Sequence, residues 1–157
     1  VMPVLEGHSR RNQKHTGMIT DMLVIDQEGL LATPGLDKMI HLRDLPATHL
    51  AHLDDDGGAA SFKSSRNVLQ WRAARLGHFK GVACLAFGGA HVLVSAGFDF
   101  DIIAWDLLGV ATRPLFRLIG HRHPLVKVVM IPGMEQCASV DRGGHFRWWD
   151  IRRSSSI

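Results

Sequence analysis

The chain has 157 residues, of which 46% are hydrophobic and 21% are charged, and its formal net charge is +3 with ten histidines. This composition is typical of a globular protein and excludes a disordered or fibrous one. The sequence contains neither a run of 18 apolar residues nor a signal-peptide pattern, so we expect an intracellular, cytoplasmic protein without a membrane partner.

The first predicted strands lie in residues 8–45, between turn residues. They are Ile19–Ile25, Leu30–Thr33 and Met39–Leu42, each built mainly from apolar residues. Ahead of them, the stretch from Pro3 to His8 is typical of the tail of a preceding strand. Residues 8–45 therefore form a first, degenerate copy of a repeated unit.

Residues 46–67 are rich in Asp, Gly, Ala and Ser and lack apolar periodicity, which predicts a flexible insertion. The segment contains His49, His52 and the run Asp54-Asp55-Asp56, which are residue types that bind metals. Useful affinity needs ligands held at a defined geometry, and neither zinc nor EF-hand spacing is present. We therefore predict no metal site, with His123 as an ordinary loop residue, and we expect the insertion to be mobile and dispensable for folding.

Residues 68–106 carry the strongest strand pattern. The predicted strands are Val82–Phe87, Val92–Ala96 and Ile102–Asp106, followed by Leu115–Ile119. Gly88-Gly89 is expected to turn the first of them into the second. In the next turn Gly97 permits a positive φ, and Asp99 can accept hydrogen bonds from the turn backbone.

Residues 113–150 form a third copy, with predicted strands Val126–Ile131, Cys137–Val140 and Phe146–Asp150. We predict no fourth strand in this copy, and we assign residues 151–157 to a tail. The two cysteines, Cys84 and Cys137, occupy apolar strand positions without a motif around them. Both are therefore expected to be reduced core residues.

The three copies repeat one another in register. Each carries a His early, a Ser or Thr next, and Trp-Asp or Arg-Asp late: His15, Thr33 and Arg43-Asp44; His78, Ser95 and Trp105-Asp106; His121, Ser139 and Trp149-Asp150. The histidines of the second and third copies are 43 residues apart, and their tryptophans are 44 apart. Such ordered repeats of about 40 to 45 residues indicate a propeller architecture.

The chain from about Val4 to Asp150 thus resembles the WD40-repeat family of β-propellers. The resemblance implies an all-β fold, a partial β-propeller of about two and a half to three four-stranded antiparallel blades. Family propellers close a ring with about 4 to 8 blades. We therefore expect the chain to be a fragment of a larger propeller protein, or to complete its ring with another chain.

The resemblance also implies a buried relay of hydrogen bonds in each copy. In the middle copy Asp99 would bond His78, and His78 would bond the hydroxyl of Ser95. Ser95 would in turn accept from the indole N–H of Trp105, so that every polar group has a partner. These residues are then structural.

The relay of the first copy lacks its tryptophan. His15, Thr33 and Asp37 can still form a three-member chain. Arg43 stands in the Trp position, and burying a guanidinium without a partner is costly. We therefore expect Arg43 to send its guanidinium toward solvent or a carboxylate.

The third copy departs from the pattern at the turn carboxylate. His121, Ser139 and Trp149 are in register, but Gly143 stands where the Asp is expected. Asp141 lies two residues earlier, and the sequence leaves open whether it reaches His121. The interpretation that we favour is that it does not, which leaves the middle relay as the only complete one.

No nucleophile elbow, P-loop or paired-carboxylate motif occurs, so we predict no enzymatic activity, no cofactor and no small-molecule substrate. The remaining function is a protein-protein interaction scaffold. In the family topology the loops that carry Gly-His and Asp99 open on one rim. The candidate interaction residues on that rim are Arg10, Arg11, Lys14, Phe79, Lys80, Phe98, Arg122, His123 and Arg142.

Two alternative functions are kept. Basic rim loops suggest a nucleic-acid-associated propeller, although the basic residues are scattered and not interleaved with aromatics. The second alternative is a structural segment of a larger ciliary or regulatory assembly. It rests on a similarity to long WD-repeat proteins in which EF-hand modules accompany two propellers, and the stretches that carry it are Ser95–Asp99, Arg117–Val126 and Trp149–Arg152. That resemblance implies the cilium or cytoskeleton as an alternative location.

Overall fold

The computed structural model describes residues 14–45, 67–69, 77–88, 90–107, 114–153 and 155–156. Within these ranges the protein forms three antiparallel sheets of four strands each. The first contains β1 (Leu23–Ile25), β2 (Leu30–Pro34), β3 (Ile40–Asp44) and β4 (Asn67–Leu69). The second contains β5 (Val82–Gly88), β6 (Val92–Gly97), β7 (Ile102–Asp106) and β8 (Pro114–Leu118). The third contains β9 (Leu125–Met130), β10 (Gln136–Asp141), β11 (Phe146–Asp150) and β12 (Ser155–Ser156).

Every sheet is a meander, in which each strand pairs with the next one along the chain. This arrangement confirms the predicted all-β fold of four-stranded antiparallel units. The described residues contain one short 3-10 turn, Asp26–Glu28, and no helix long and apolar enough to cross a membrane.

The outermost strands differ from the sequence prediction. The third copy does have a fourth strand, because Ser155–Ser156 pairs with β11 opposite Trp149 and Asp150. Likewise Asn67, assigned above to the insertion, belongs to β4 and pairs with Leu42 of β3. Both strands are short and have little apolar periodicity, so their own sequences do not predict them. They form because the neighbouring strand offers an edge to pair with. The remainder of the insertion, residues 46–66 with His49, His52 and the Asp run, lies outside the described residues.

The second sheet lies between the other two and is buried on both faces. β6 is the clearest case, since five of its six residues are buried. One face joins the first sheet in a cluster formed by Ile25, Ala32, Ile40, Leu42, Val82, Leu85, Leu93, Ile103 and Trp105. The other face joins the third sheet in a cluster formed by Cys84, Ala86, Val94, Ala96, Ile102, Ala104, Leu118, Leu125, Val128, Cys137, Trp149 and Ile151. Burial on both faces explains why the strands of this copy have nearly continuous apolar sequences.

The two cysteines lie in the second of these clusters. Both are free and buried, as predicted. Burial raises the pKa of Cys84 to about 11 and the pKa of Cys137 to about 12. Since the thiolate is the reactive form, both thiols are inert at neutral pH.

We expect neither cysteine to be alkylated by iodoacetamide in the folded protein at mildly alkaline pH. Unfolding lowers each thiol pKa toward its ordinary value, so both should react once denaturant is added. Mass spectrometry of the labelled protein, with and without denaturant, measures this. Rapid labelling of either cysteine in the folded protein would contradict the assignment of both to a tightly packed core.

Candidate functional site

The middle copy brings its four relay side chains together in one buried chain. His78 Nδ1 lies 2.8 Å from Asp99 Oδ1, and His78 Nε2 lies 2.8 Å from Ser95 Oγ. The indole Nε1 of Trp105 donates to the same Ser95 Oγ at 2.8 Å. These atoms connect the turn after β6 to strands β6 and β7.

Hydrogen-bond chemistry sets the direction of this chain. The Trp105 indole can only donate, so Ser95 Oγ accepts from it and donates its own hydrogen to His78 Nε2. His78 is then the Nδ1–H tautomer and donates to the Asp99 carboxylate. The chain therefore leaves no buried group without a partner, which is the condition for a stabilising polar network.

The carboxylates of the first two relays stay ionised. Burial of Asp99 acts to raise its pKa, but hydrogen bonds from His78 and from the backbone N–H of Phe79 outweigh it, so the pKa falls below its ordinary value. The same balance, with His15 and the backbone N–H of Thr16 as main donors, lowers the pKa of Asp37. Each carboxylate is consequently an acceptor only at neutral pH.

The first copy contains a shorter chain. His15 Nδ1 lies 2.9 Å from Asp37 Oδ1, and His15 Nε2 lies 3.1 Å from Thr33 Oγ1. Arg43, at the tryptophan position, is half-buried and pairs across the sheet with Leu31. The His15 ring instead packs on the ring of His41, with 4.0 Å between the centroids. This relay therefore has three members.

The third copy has a complete relay, and the interpretation that Asp141 does not reach His121 is wrong. His121 Nδ1 lies 2.8 Å from Asp141 Oδ2, and His121 Nε2 lies 2.7 Å from Ser139 Oγ. The indole of Trp149 donates to Ser139 Oγ at 2.7 Å. The middle relay is therefore not the only complete one.

The third copy reaches the same arrangement because Gly and Asp exchange places in the turn. A Cβ atom on Gly97 would lie 2.3 Å from His78 Nδ1 and 2.1 Å from Asp99 Oδ1, so that space is already filled by the His–Asp pair. Asp141 stands at the position equivalent to Gly97 and places its own carboxylate there. Gly143 replaces the Asp, and a Cβ on it would lie 2.5 Å from His123 Nδ1.

Gly97 does not use the positive φ that glycine permits, and the left-handed conformation occurs later in each turn. The left-handed residue is Phe100, with φ 77°, and its equivalents are Lys38, with φ 69°, and Gly144, with φ 80°. Glycine is required at position 97 because the His78–Asp99 pair lies where a Cβ atom would be, and not because of its backbone conformation.

The exchange can be tested by moving the carboxylate. Asp141→Gly alone should lower the melting temperature, since His121 loses its acceptor and keeps a buried N–H. The double variant Asp141→Gly/Gly143→Asp rebuilds the turn of the middle copy and should recover most of the loss. Differential scanning calorimetry measures both. If the double variant melts no higher than the single variant, the two turns are not interchangeable.

The loops that lead into each sheet and the turns between its second and third strands meet on one side of the protein, which we call the relay rim. Three equivalent backbone hydrogen bonds tie them together, in which Leu36, Phe98 and Arg142 donate to Met18, Gly81 and Pro124 at 2.9 Å each. The rim also joins neighbouring sheets, because the N–H of Val82 donates to the carbonyl of Gly35 at 3.0 Å.

Cations on the relay rim lie over aromatic rings. Lys80 Nζ is 5.2 Å from the centre of the Phe100 ring, and the Arg142 guanidinium is 5.5 Å from that of Phe98. Arg117 lies 5.2 Å from the centre of the Phe79 ring. Its guanidinium also pairs with Asp101 and donates to the carbonyl of Gly77 at 2.7 Å.

The predicted rim residues divide by exposure. Phe98 is half-buried, as is the nearby Phe100, whereas the other described candidates, Lys14, Phe79, Lys80, Arg122, His123 and Arg142, are exposed. Arg10 and Arg11 lie outside the described residues. Sequence reasoning missed Arg117 and His145, since neither belongs to a repeated motif position. The Arg117–Asp101 charge pair across neighbouring strands was the available signal for the first of them.

Comparison with known proteins agrees with this geometry at the level of fold. No family model matches the chain. A curated relative, cilia- and flagella-associated protein 337 B of Tetrahymena thermophila, is 27% identical over 153 residues, which cover 97% of this chain and 10% of the relative. The chain thus spans about a tenth of the length of that relative.

Two solved structures align with most of the described sheets. They are the WD40 repeats of RRP9, with a TM-score of 0.73 and 18% identity, and U3-55K, with a TM-score of 0.72 and 17% identity. Each alignment covers 92% of this chain and 39% of the solved chain. Together with the three meander sheets and their relays, these similarities show that the chain has the fold of consecutive blades of a WD40 β-propeller.

Proposed function

We propose that the protein is a non-catalytic interaction scaffold whose relay rim binds an acidic segment of a partner protein. The observation that carries this proposal is that the carboxylates on the rim are paired within the protein, whereas several cations there are exposed. The carboxylates of Asp37, Asp99, Asp101 and Asp141 are each paired within the protein. Lys80, Arg122 and Arg142 are exposed cations on the same rim. The charge that faces a partner there is therefore positive.

The aromatic rings under these cations support the same function. Phe79 is 52% exposed, so its ring offers apolar area to a partner without prior rearrangement. Arg142 lies over Phe98 and keeps its guanidinium edge available for bidentate pairing with a carboxylate. Aromatic and Arg anchors dominate the energetics of protein interfaces, and complementary charge raises the association rate.

The experiment is a peptide-array screen against the full chain, with peptides of graded acidity and aromatic content. We expect binding to acidic peptides that contain an aromatic or aliphatic anchor. Phe79→Ala and Arg142→Ala should each weaken the best peptide by about 1 to 3 kcal/mol, the usual range for an interface anchor. Arg153→Ala removes an exposed cation from the chain segment between β11 and β12 and should leave binding unchanged.

A nucleic-acid partner would behave differently. Phosphate contacts release counterions, so the logarithm of the affinity falls steeply and linearly with the logarithm of salt concentration. A single-stranded oligonucleotide titrated at several salt concentrations serves as the comparison. Tighter binding of the oligonucleotide than of any acidic peptide, with a steep salt slope, would overturn the assignment to a protein partner.

A role in a ciliary assembly is the second candidate function. It is favoured by the 27% identity to a protein named as cilia- and flagella-associated. If it holds, the fluorescently tagged protein should concentrate along cilia in a ciliated cell and remain there after detergent extraction. A diffuse signal that detergent removes would count against it.

A further inference from the structure

Two histidines and one aspartate converge on the relay rim of the third blade. Asp141 ends β10, His145 follows it in the turn before β11, and His123 lies in the loop before β9. His145 Nδ1 is 3.1 Å from Asp141 Oδ1, and His123 Nδ1 is 3.9 Å from Asp141 Oδ2. One ligand atom from each of the three residues lies within 4.8 Å of the other two.

The two imidazoles face each other at the surface. Their rings are stacked with 5.4 Å between centroids and 10° between planes. The side chains of His123 and His145 are 48% and 60% exposed. Solvent therefore reaches both rings, and the exposed rings can rotate to meet a common ligand.

The aspartate, in contrast, is fixed. Its side chain is 1% exposed, and its oxygens accept hydrogen bonds from His121 Nδ1 at 2.8 Å, from the N–H of Gly143 at 2.9 Å and from the N–H of His145 at 3.0 Å. A carboxylate held in this way loses no rotamer freedom when it binds a cation. Hydrogen-bonded ligands are the usual support of protein metal sites.

The first blade has a different His–Asp–His group, His15, Asp37 and His41, which is built around the relay histidine itself, and the positions of the third-blade cluster are not repeated in the other two blades. In the second blade the positions equivalent to His123 and His145 are occupied by Lys80 and Asp101, and in the first by Gly17 and Met39. The third-blade cluster depends on the Gly–Asp exchange, because only Asp141 projects from the start of its turn. The His123 ring occupies the space that a Cβ atom on residue 143 would need, which Gly143 leaves free.

We propose that His123, Asp141 and His145 bind one divalent transition-metal ion, with Zn²⁺ as the fitting ion. Two imidazole nitrogens and one carboxylate oxygen are a common donor set for zinc, and three protein ligands leave a fourth position for water. Tetrahedral zinc bonds of about 2.0 to 2.2 Å place ligand atoms about 3.3 to 3.6 Å apart. The separations here, 3.1 and 3.9 Å to the Asp141 oxygens, lie on either side of that range, so the two exposed rings must adjust their positions to bind the ion. The metal site is inferred independently of the proposed peptide binding, although both lie on the relay rim.

The test is a zinc titration of the untagged full chain, in competition with a chromophoric chelator. We expect one zinc ion per chain and a higher melting temperature in its presence. His123→Ala and His145→Ala should each weaken zinc binding by about tenfold or more, since even outer-shell changes cost about 10- to 100-fold. Each change removes one contact to Asp141 but leaves the bonds of His121 to Asp141 and Ser139 in place, so both variants should fold, and circular dichroism checks this.

Two controls locate the site. His91→Ala removes another partly exposed histidine that pairs with a carboxylate, Glu28, and should leave zinc affinity unchanged. The double variant His49→Ala/His52→Ala tests the Asp-rich and His-rich segment of residues 46–66. The proposal is overturned if zinc does not bind saturably, if both rim variants bind as well as the original chain, or if only the double variant loses binding.

Discussion

Replacing His78 with alanine is expected to lower the free energy of unfolding by about 1 to 3 kcal/mol, because it leaves Ser95 and Asp99 buried without their shared partner. His78 is the central member of the relay, bonded on both ring nitrogens. Chemical denaturation of the protein measures the effect. Trp105→Phe is the milder companion variant, since it keeps an aromatic ring and deletes the donor to Ser95.

The first blade supplies a matched control for this result. His15→Ala removes the equivalent histidine from a relay without a tryptophan. The His15–Thr33 bond is part-buried whereas the His78–Ser95 bond is buried, so the loss of stability should be smaller. An unchanged midpoint for His78→Ala together with lost partner binding would show that the relay serves recognition rather than stability.

Self-association of the 157-residue chain is the second large effect that we expect. The face of the second blade that carries Val94 and Ala104 is buried against the third blade. The equivalent cross-strand pair in the third blade is Ala138 and Trp148, and no described residue forms a further sheet against that face. Phe146 on the same face is 64% exposed. Apolar area left in water forgoes about 25 cal/mol per Å² of stabilisation, so the face favours association.

Expressed alone, the 157 residues should therefore form oligomers or melt without cooperativity, and the second blade should show the strongest amide protection. Phe146→Glu should shift the population toward monomer in analytical ultracentrifugation. Ile119→Glu changes a similarly exposed apolar residue just after β8 and should not. A monomer of the unmodified chain with one sharp unfolding transition would refute the expectation.

The central strands were predictable because their signals are local. Ile102–Asp106 was predicted with its observed bounds, and the prediction for Val82–Phe87 is one residue short of β5. Both are apolar runs that end at turn residues. The first strand was predicted too long, since only Leu23–Ile25 forms a ladder while Ile19 makes an isolated bridge to Gly35. There the side chains of Thr20 and Asp21 bond the backbone of the second blade, at Val82 and Leu85.

The elements that sequence reasoning missed depend on three-dimensional neighbours. β12 consists of two serines, and nothing in their propensity separates them from a tail until the edge of β11 is present. The relay role of Asp141 was missed because a fixed spacing places Gly143 at the carboxylate position. The cluster of His123 and His145 was missed for a related reason, since its ligands become neighbours only when the loop and the turn meet.

The Gly–Asp exchange in the third blade has a consequence for how such repeats change and are recognised. The buried histidine needs a carboxylate in one small volume, and two different backbone positions can reach it. If one turn sequence changes into the other by single substitutions, the intermediate turn has either two carboxylates that compete for that volume or no carboxylate at all. The paired change is therefore expected to be rare and, once made, to persist. A sequence search for repeats that accepts aspartate at either position, with glycine at the other, would find blades with a complete relay that a search with one fixed spacing misses.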